Sequence, residues 1–181
     1  MKKFTLLTVL ISVLSLACFF QKSSAQTPLL DENFDYPAGD LLTAHGWAAH
    51  SGAGSQAITV NSGGLTFPGY ISSGIGNAAL ADNTGEDVNK TFTTQTSGSV
   101  YAAFMVKITS VAGGYFFHFS TNPVVSTFRG KVFIDATNHF GVSLGSNTGT
   151  YASSTFTLGN TYLIVIKYQV VAGTLNDIMS M

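Results

Sequence analysis

Cysteine, charge and proline are all scarce in this chain. Among 181 residues there is one cysteine, Cys18, and four prolines, and charged residues make up only 9%. A single thiol excludes an internal disulfide framework and a thiolate metal centre. So little charge excludes a solvated disordered tail, a coiled coil and a basic arm for nucleic acid. Beyond the amino terminus no run is long and apolar enough to span a bilayer. What the chain does have is 45% hydrophobic residues, 12% aromatic residues and 19 glycines. Its length allows one ordinary domain.

The amino terminus has the layout of an export signal. Lys2 and Lys3 precede an uncharged stretch over residues 4–20, and small residues Ser23 and Ala25 stand three and one positions before Gln26. A basic start, an apolar middle and a small-x-small site predict a secretory signal peptide over 1–25, cleaved after Ala25. The alternatives are a transmembrane anchor, which Thr5, Thr8, Ser12 and Ser15 dilute, and lipidation of Cys18 after Ala17. Cleavage after Ala25 makes the mature protein secreted, extracellular or on the cell surface, without cysteine. Three of the eight basic residues, Lys2, Lys3 and Lys22, leave with the leader. Five then remain against nine acidic residues, a net −4. That balance offers no footprint for DNA, RNA or anionic lipid.

Residues 26–181 read as one all-β domain. Glycine-containing turn pairs such as Ser97-Gly98, Gly113-Gly114 and Thr148-Gly149 separate runs with a period of two. In 99–109, Val100, Ala102, Phe104, Val106 and Ile108 share a face. In 115–120, Tyr115, Phe117 and Phe119 oppose Phe116, His118 and Ser120. In 129–135, Arg129, Lys131, Phe133 and Asp135 oppose Gly130, Val132 and Ile134. In 161–171, Tyr162, Ile164, Ile166, Tyr168 and Val170 share a face. The one helical signal is a capped turn over 40–46, with Asp40 as N-cap and Gly46 as C′. Such a succession predicts an antiparallel two-sheet β-sandwich. Residues 175–181 read as the first half of a further strand, so the domain is expected to continue past Met181 and complete its sheet.

Leu30-Asp31-Glu32-Asn33-Phe34-Asp35-Tyr36 with Gly46-Trp47, and the strand 161–169 with Gly173 and Asn176-Asp177-Ile178-Met179-Ser180-Met181, carry a resemblance. They resemble concanavalin A-like (laminin-G-like) jelly-roll domains at the amino end of secreted surface proteins of the Bacteroidetes and Ignavibacteria type. The resemblance implies a jelly roll with its last strands missing and a longer parent chain with further domains. It also implies adhesion to a polysaccharide or another cell-surface ligand. A fold-level likeness does not itself assign function.

Catalytic signatures are lacking. Glucanase relatives of that fold carry E-x-D-x-x-E on one strand, whereas Glu32 and Glu86 are the only glutamates here and neither lies in such a pattern. Gly141-Val142-Ser143-Leu144-Gly145 matches G-x-S-x-G in letters, but a strand follows instead of a helix and no histidine lies beyond His139. His45 and His50 flank Trp47 in an expected loop, and no histidine pair has the spacing of a zinc site.

Calcium is the metal to consider, since Asp82, Asn83, Glu86 and Asp87 crowd around Gly85, and Asp31, Glu32 and Asp35 form a second cluster. The competing reading is a hairpin turn, for which Asp, Asn and Gly are equally suited. Trp47, Tyr70, Tyr115 and Tyr151 are the aromatic candidates for stacking on sugar rings, with core packing as the alternative for Trp47. The function that follows is a non-catalytic binding or adhesion module, with a ligand-free structural spacer as the alternative and a glycan-degrading enzyme behind both.

Overall fold

The computed structural model describes residues 27–173 and 176–181. The expected leader, its cleavage point and Cys18 lie outside the described residues. Among these residues, apart from one 3₁₀ turn, Leu42–His45, the regular structure is all strand. Eleven strands follow in chain order: β1 Ala48–Ser51, β2 Thr59–Asn61, β3 Ala78–Leu80, β4 Asp87–Asn89, β5 Gly98–Lys107 and β6 Gly114–Phe119 come first. Then come β7 Arg129–Ile134, β8 His139–Ser143, β9 Thr150–Thr155, β10 Thr161–Val170 and β11 Ile178–Ser180. Among the described residues no helix is long and apolar enough to cross a membrane.

Two sheets make the core. One has the order β11-β10-β5 and the other β6-β7-β8-β9, and every pairing is antiparallel. The ten-residue register of β5 with β10 sets Phe104 opposite Ile164 and Ala102 opposite Ile166. Their shared face meets Val132 of β7 and Phe140 of β8, with Phe156 closing one end. Ile166 and Val132 are fully buried. Period-two alternation dictates this, because every second side chain of a strand lies on one face and the apolar faces have only each other to cover. The result is β-sandwich-like. Two small ribbons, β1-β4 and β2-β3, complete the strands.

Three local expectations are corrected. Strict alternation in β6 puts Tyr115 with Phe117 and Phe119, but register irregularities fall between Tyr115 and Phe117 and again between Phe117 and Phe119. Phe117 and Phe119 consequently pack with the core, while Tyr115 turns with His118 toward Phe128 on the outer face. An extra residue in one strand reverses the facing of whatever follows it. His50 lies in strand β1, not in a loop. Gly46 does end its turn in the left-handed conformation at φ 81°, but no side chain caps the start. Asp40 binds His45 Nε2 at 2.9 Å instead.

The segment ahead of the first strand is strapped onto the molecule. Glu32 is its clasp, with Oε2 accepting from Trp47 Nε1 at 3.1 Å, from Tyr36 Oη at 3.0 Å and from Lys90 Nζ at 2.5 Å. Its Oε1 accepts from the Phe34 amide at 2.8 Å. Asn77 holds the other side, its amide donating to the Asn33 carbonyl and its Nδ2 to the Tyr36 carbonyl. Gly76, at φ +67°, must be glycine on two counts, since a Cβ there would also collide with the Asn33 carbonyl.

Candidate functional site

The outer face of the β6-β7-β8-β9 sheet carries a candidate site. Lys131 and Phe133 alternate outward from β7, yet they are only 3% and 2% exposed. Aromatic side chains cover them. Tyr115 packs edge-on to Phe133 at 5.7 Å between centroids, and Tyr151 of β9 does so from the other side at 6.4 Å. Tyr115 and Tyr151 remain 41% and 39% exposed, so each offers ring surface to solvent.

Beside Tyr115 opens a cleft of about 340 Å³, walled by His50, Ser51, Asp87, Tyr115, Phe128 and the 124–126 stretch of the β6–β7 loop. That volume is at the small end of ligand pockets, which span roughly 300–1,000 Å³. The β1-β4 ribbon supplies one wall, because its register sets Ser51 opposite Asp87. Strand β6 and the following loop supply the other.

The chemistry of the walls is specific. His118 stacks on Phe128 at 4.0 Å, and His50 meets both edge-on at 5.6 and 6.1 Å. Neither ring nitrogen of His50 has a partner among the described residues, and both are shielded from solvent. Buried polar atoms are normally paired, and leaving one unpaired costs about 1–3 kcal/mol. Burial holds His118 below the ordinary histidine range, and neighbouring His50 and Lys131 push the same way against a backbone hydrogen bond to Phe119. At neutral pH the His118 ring is therefore uncharged.

Behind the aromatic wall, Lys131 Nζ lies 4.7 Å from the Tyr115 centroid and 5.7 Å from that of Phe128, and it donates to Asn147 Oδ1 at 2.8 Å. Burial lowers its pKa. The cation-π contacts and the Asn147 bond are what this nearly enclosed ammonium has in place of water.

The other sequence candidates lie elsewhere. Trp47 belongs to the Glu32 clasp and stacks on Phe34 at 5.8 Å. Tyr70 donates its hydroxyl to the Ala103 carbonyl at 3.1 Å, on the edge of β5. Of the four aromatic candidates, Tyr115 and Tyr151 are brought to one face, on either side of Phe133, and Trp47 and Tyr70 are not.

Among the carboxylates, Glu86 is only 6% exposed and points inward, accepting from the Gly54 amide at 2.8 Å and the Ile58 amide at 3.4 Å. Asp82 Oδ1 closes a turn onto the Thr84 amide at 2.9 Å. Asp87, exposed like Asp82, lines the cleft. In the second cluster Glu32 is occupied by its four donors, and Asn33, not Asp31, bonds the Asp35 amide. Among the described residues no three His, Cys, Asp or Glu side chains converge as a metal-holding group. Ser143 Oγ donates to the Ser146 carbonyl across the turn into β9 at 3.2 Å.

His50, Asp87 and Phe128 were beyond sequence reasoning as a group. They come from three separate elements, and only the pairing of β1 with β4 and the fold of the 120–128 loop unites them. A second cleft of about 270 Å³ lies at Arg129, Ser146, Tyr168 and Asp177. Its carboxylate is already committed, with Asp177 accepting from Tyr168 Oη at 2.5 Å and from the Val171 amide at 2.9 Å. Comparison with family models, with curated proteins and with solved structures returns no match.

Proposed function

We propose that this chain is a non-catalytic binding module of an exported protein, built as a concanavalin A-like jelly roll, and that it holds a glycan on the outer face of its four-stranded sheet. The observation that carries this reading is the cleft beside Tyr115. The half-exposed ring of Tyr115 and the side chain of Phe128 stand with the hydroxyls of Ser51 and Ser126 and the exposed carboxylate of Asp87. Sugar rings present apolar C–H faces to aromatic planes and hydroxyl edges to such polar groups. Tyr151, across Phe133, extends the platform for a longer chain. The export signal expected over residues 1–25 suits a protein that works outside the cell.

A glycan array probed with the mature chain tests the reading. Binding to at least one polysaccharide class is expected, with Tyr115→Ala and Phe128→Ala each weakening it tenfold or more. An array without binding overturns the reading and returns the chain to the class of structural spacers.

A further inference from the structure

The charges around the cleft favour one kind of sugar residue, and this inference rests on the glycan reading above. Asp87 is the one carboxylate among the residues that line the cleft, and no lysine or arginine stands with it there. It is exposed, and no hydrogen bond or ion pair engages it among the described residues. The β1-β4 register sets it directly across from Ser51. Side chains paired in this way share a face of the ribbon, with Cβ atoms about 4.5–5.5 Å apart. One sugar residue can therefore place a cationic group on Asp87 and a hydroxyl on Ser51, while the half-exposed ring of Tyr115 takes its C–H face.

The neighbouring charges do not cancel this. Lys131 is 3% exposed, so a ligand in the cleft does not touch its ammonium, which lies behind Tyr115 and donates to Asn147 Oδ1. Coulomb energy falls with distance, so a cation in contact with Asp87 gains more from that carboxylate than it loses to a lysine it cannot reach. His118, stacked on Phe128, is uncharged at neutral pH. Over residues 26–181 nine acidic side chains outnumber five basic ones, so the wider field also favours a cation.

We propose that the cleft prefers a sugar residue bearing a primary amine, with Asp87 the specificity-determining residue that pairs with its ammonium. A neutral sugar gives Asp87 only a hydroxyl to accept from, and a uronate sets a second carboxylate against it.

Calorimetric titration of residues 26–181 with tetrasaccharides at pH 7 tests the preference. β-1,4-Glucan and α-1,4-galactan backbones are each supplied neutral, with an amine at C6, or with a carboxylate at C6. In at least one series the amine member is expected to bind fivefold or more tighter than the neutral member and twentyfold or more tighter than the carboxylate member. Asp87→Asn, which keeps the shape and removes the charge, should bring the amine and neutral members within twofold of each other. Asp31→Asn removes an exposed carboxylate that does not line the cleft and should keep the wild-type ratio, which separates contact from the general field. Asp87→Ala provides a second uncharged variant should the asparagine fail to fold. Neutral binding as tight as amine binding in the wild type overturns the preference and leaves the glycan reading standing. An unchanged ratio in a folded Asp87 variant, or an equal fall in Asp31→Asn, does the same. No binding by any of the six overturns the preference, and together with an empty array it overturns the glycan reading as well.

Discussion

At the scale of single residues, Glu32 concentrates more structure than any other side chain in the described molecule. Its two oxygens serve an indole, a phenol, an ammonium and a backbone amide. Burial alone would push its carboxyl up, but the Lys90 ammonium and the other donors outweigh that and hold it below the usual carboxylate range. Glu32→Ala leaves Lys90 and the Trp47 indole without their acceptor and should destabilise by about 3 kcal/mol. Urea unfolding measures this, and a loss below about 1 kcal/mol would remove Glu32 from its role as clasp.

Residue-level protonation also predicts an acid response. The folded pKa of His118 is lower than its ordinary 6.5. Between the two values the unfolded chain binds the extra proton, so stability falls as pH drops through about 6.5. Asp135 is the opposite kind of group. Desolvation raises its carboxyl, but the hydrogen bonds from His139 and Thr137 win and bring it from 3.8 down to about 2. Its contribution is present above the ordinary carboxylate value and is lost as pH falls toward 2. Subtracting the pH–stability curve of His118→Phe from that of the wild type should isolate a step near and below pH 6.5. Parallel curves would contradict the assignment.

At the scale of elements, the long strands were legible and the short ones were not. Alternation in β5 and β10 is unbroken for ten residues, so their facing could be read from the order of residues, and the register pairs Phe104 with Ile164 accordingly. Ile166→Ala on that face should cost about 3–4 kcal/mol by leaving a cavity between the sheets, with an unchanged urea slope. Strand β6 defeated the same reasoning, because the extra residue at Phe116 leaves no mark in a run of Tyr-Phe-Phe-His-Phe. Strand β1 has four residues and its partner β4 three, too few to display a period.

Loop contacts belong to this scale as well. Gly76→Ala forces the Asn33 carbonyl away and so pries up the 33–36 strap. A loss of about 2 kcal/mol or more is expected. A change in Trp47 fluorescence should accompany it, since the strap carries the acceptor of the indole. Full retention of both stability and fluorescence would show that the strap tolerates displacement.

At the scale of the whole molecule, the two facing sheets could be inferred from residue pattern, and the candidate site only in part. Tyr115 and Tyr151 were candidates from their places near loops or strand ends, as were Trp47 and Tyr70, and nothing in their spacing told a stacking platform from core packing. The partners that turn Tyr115 into one wall of a cleft are distant in sequence: His50 and Asp87 on a ribbon, Phe128 at the end of a loop. No local rule connects positions 50, 87, 115 and 128. The same distance hid the inward turn of Glu86, whose acceptors' partners, the Gly54 and Ile58 amides, lie some thirty positions earlier.

The most direct test of the central claim is chemical-shift mapping. A labelled chain of residues 26–181 is titrated with a polysaccharide fragment selected on the array. The expected result is saturable perturbation centred on His50, Ser51, Asp87, Tyr115 and Phe128, reaching Tyr151 with longer fragments. Perturbations centred on Trp47 or Tyr70, with the cleft unmoved, would contradict it.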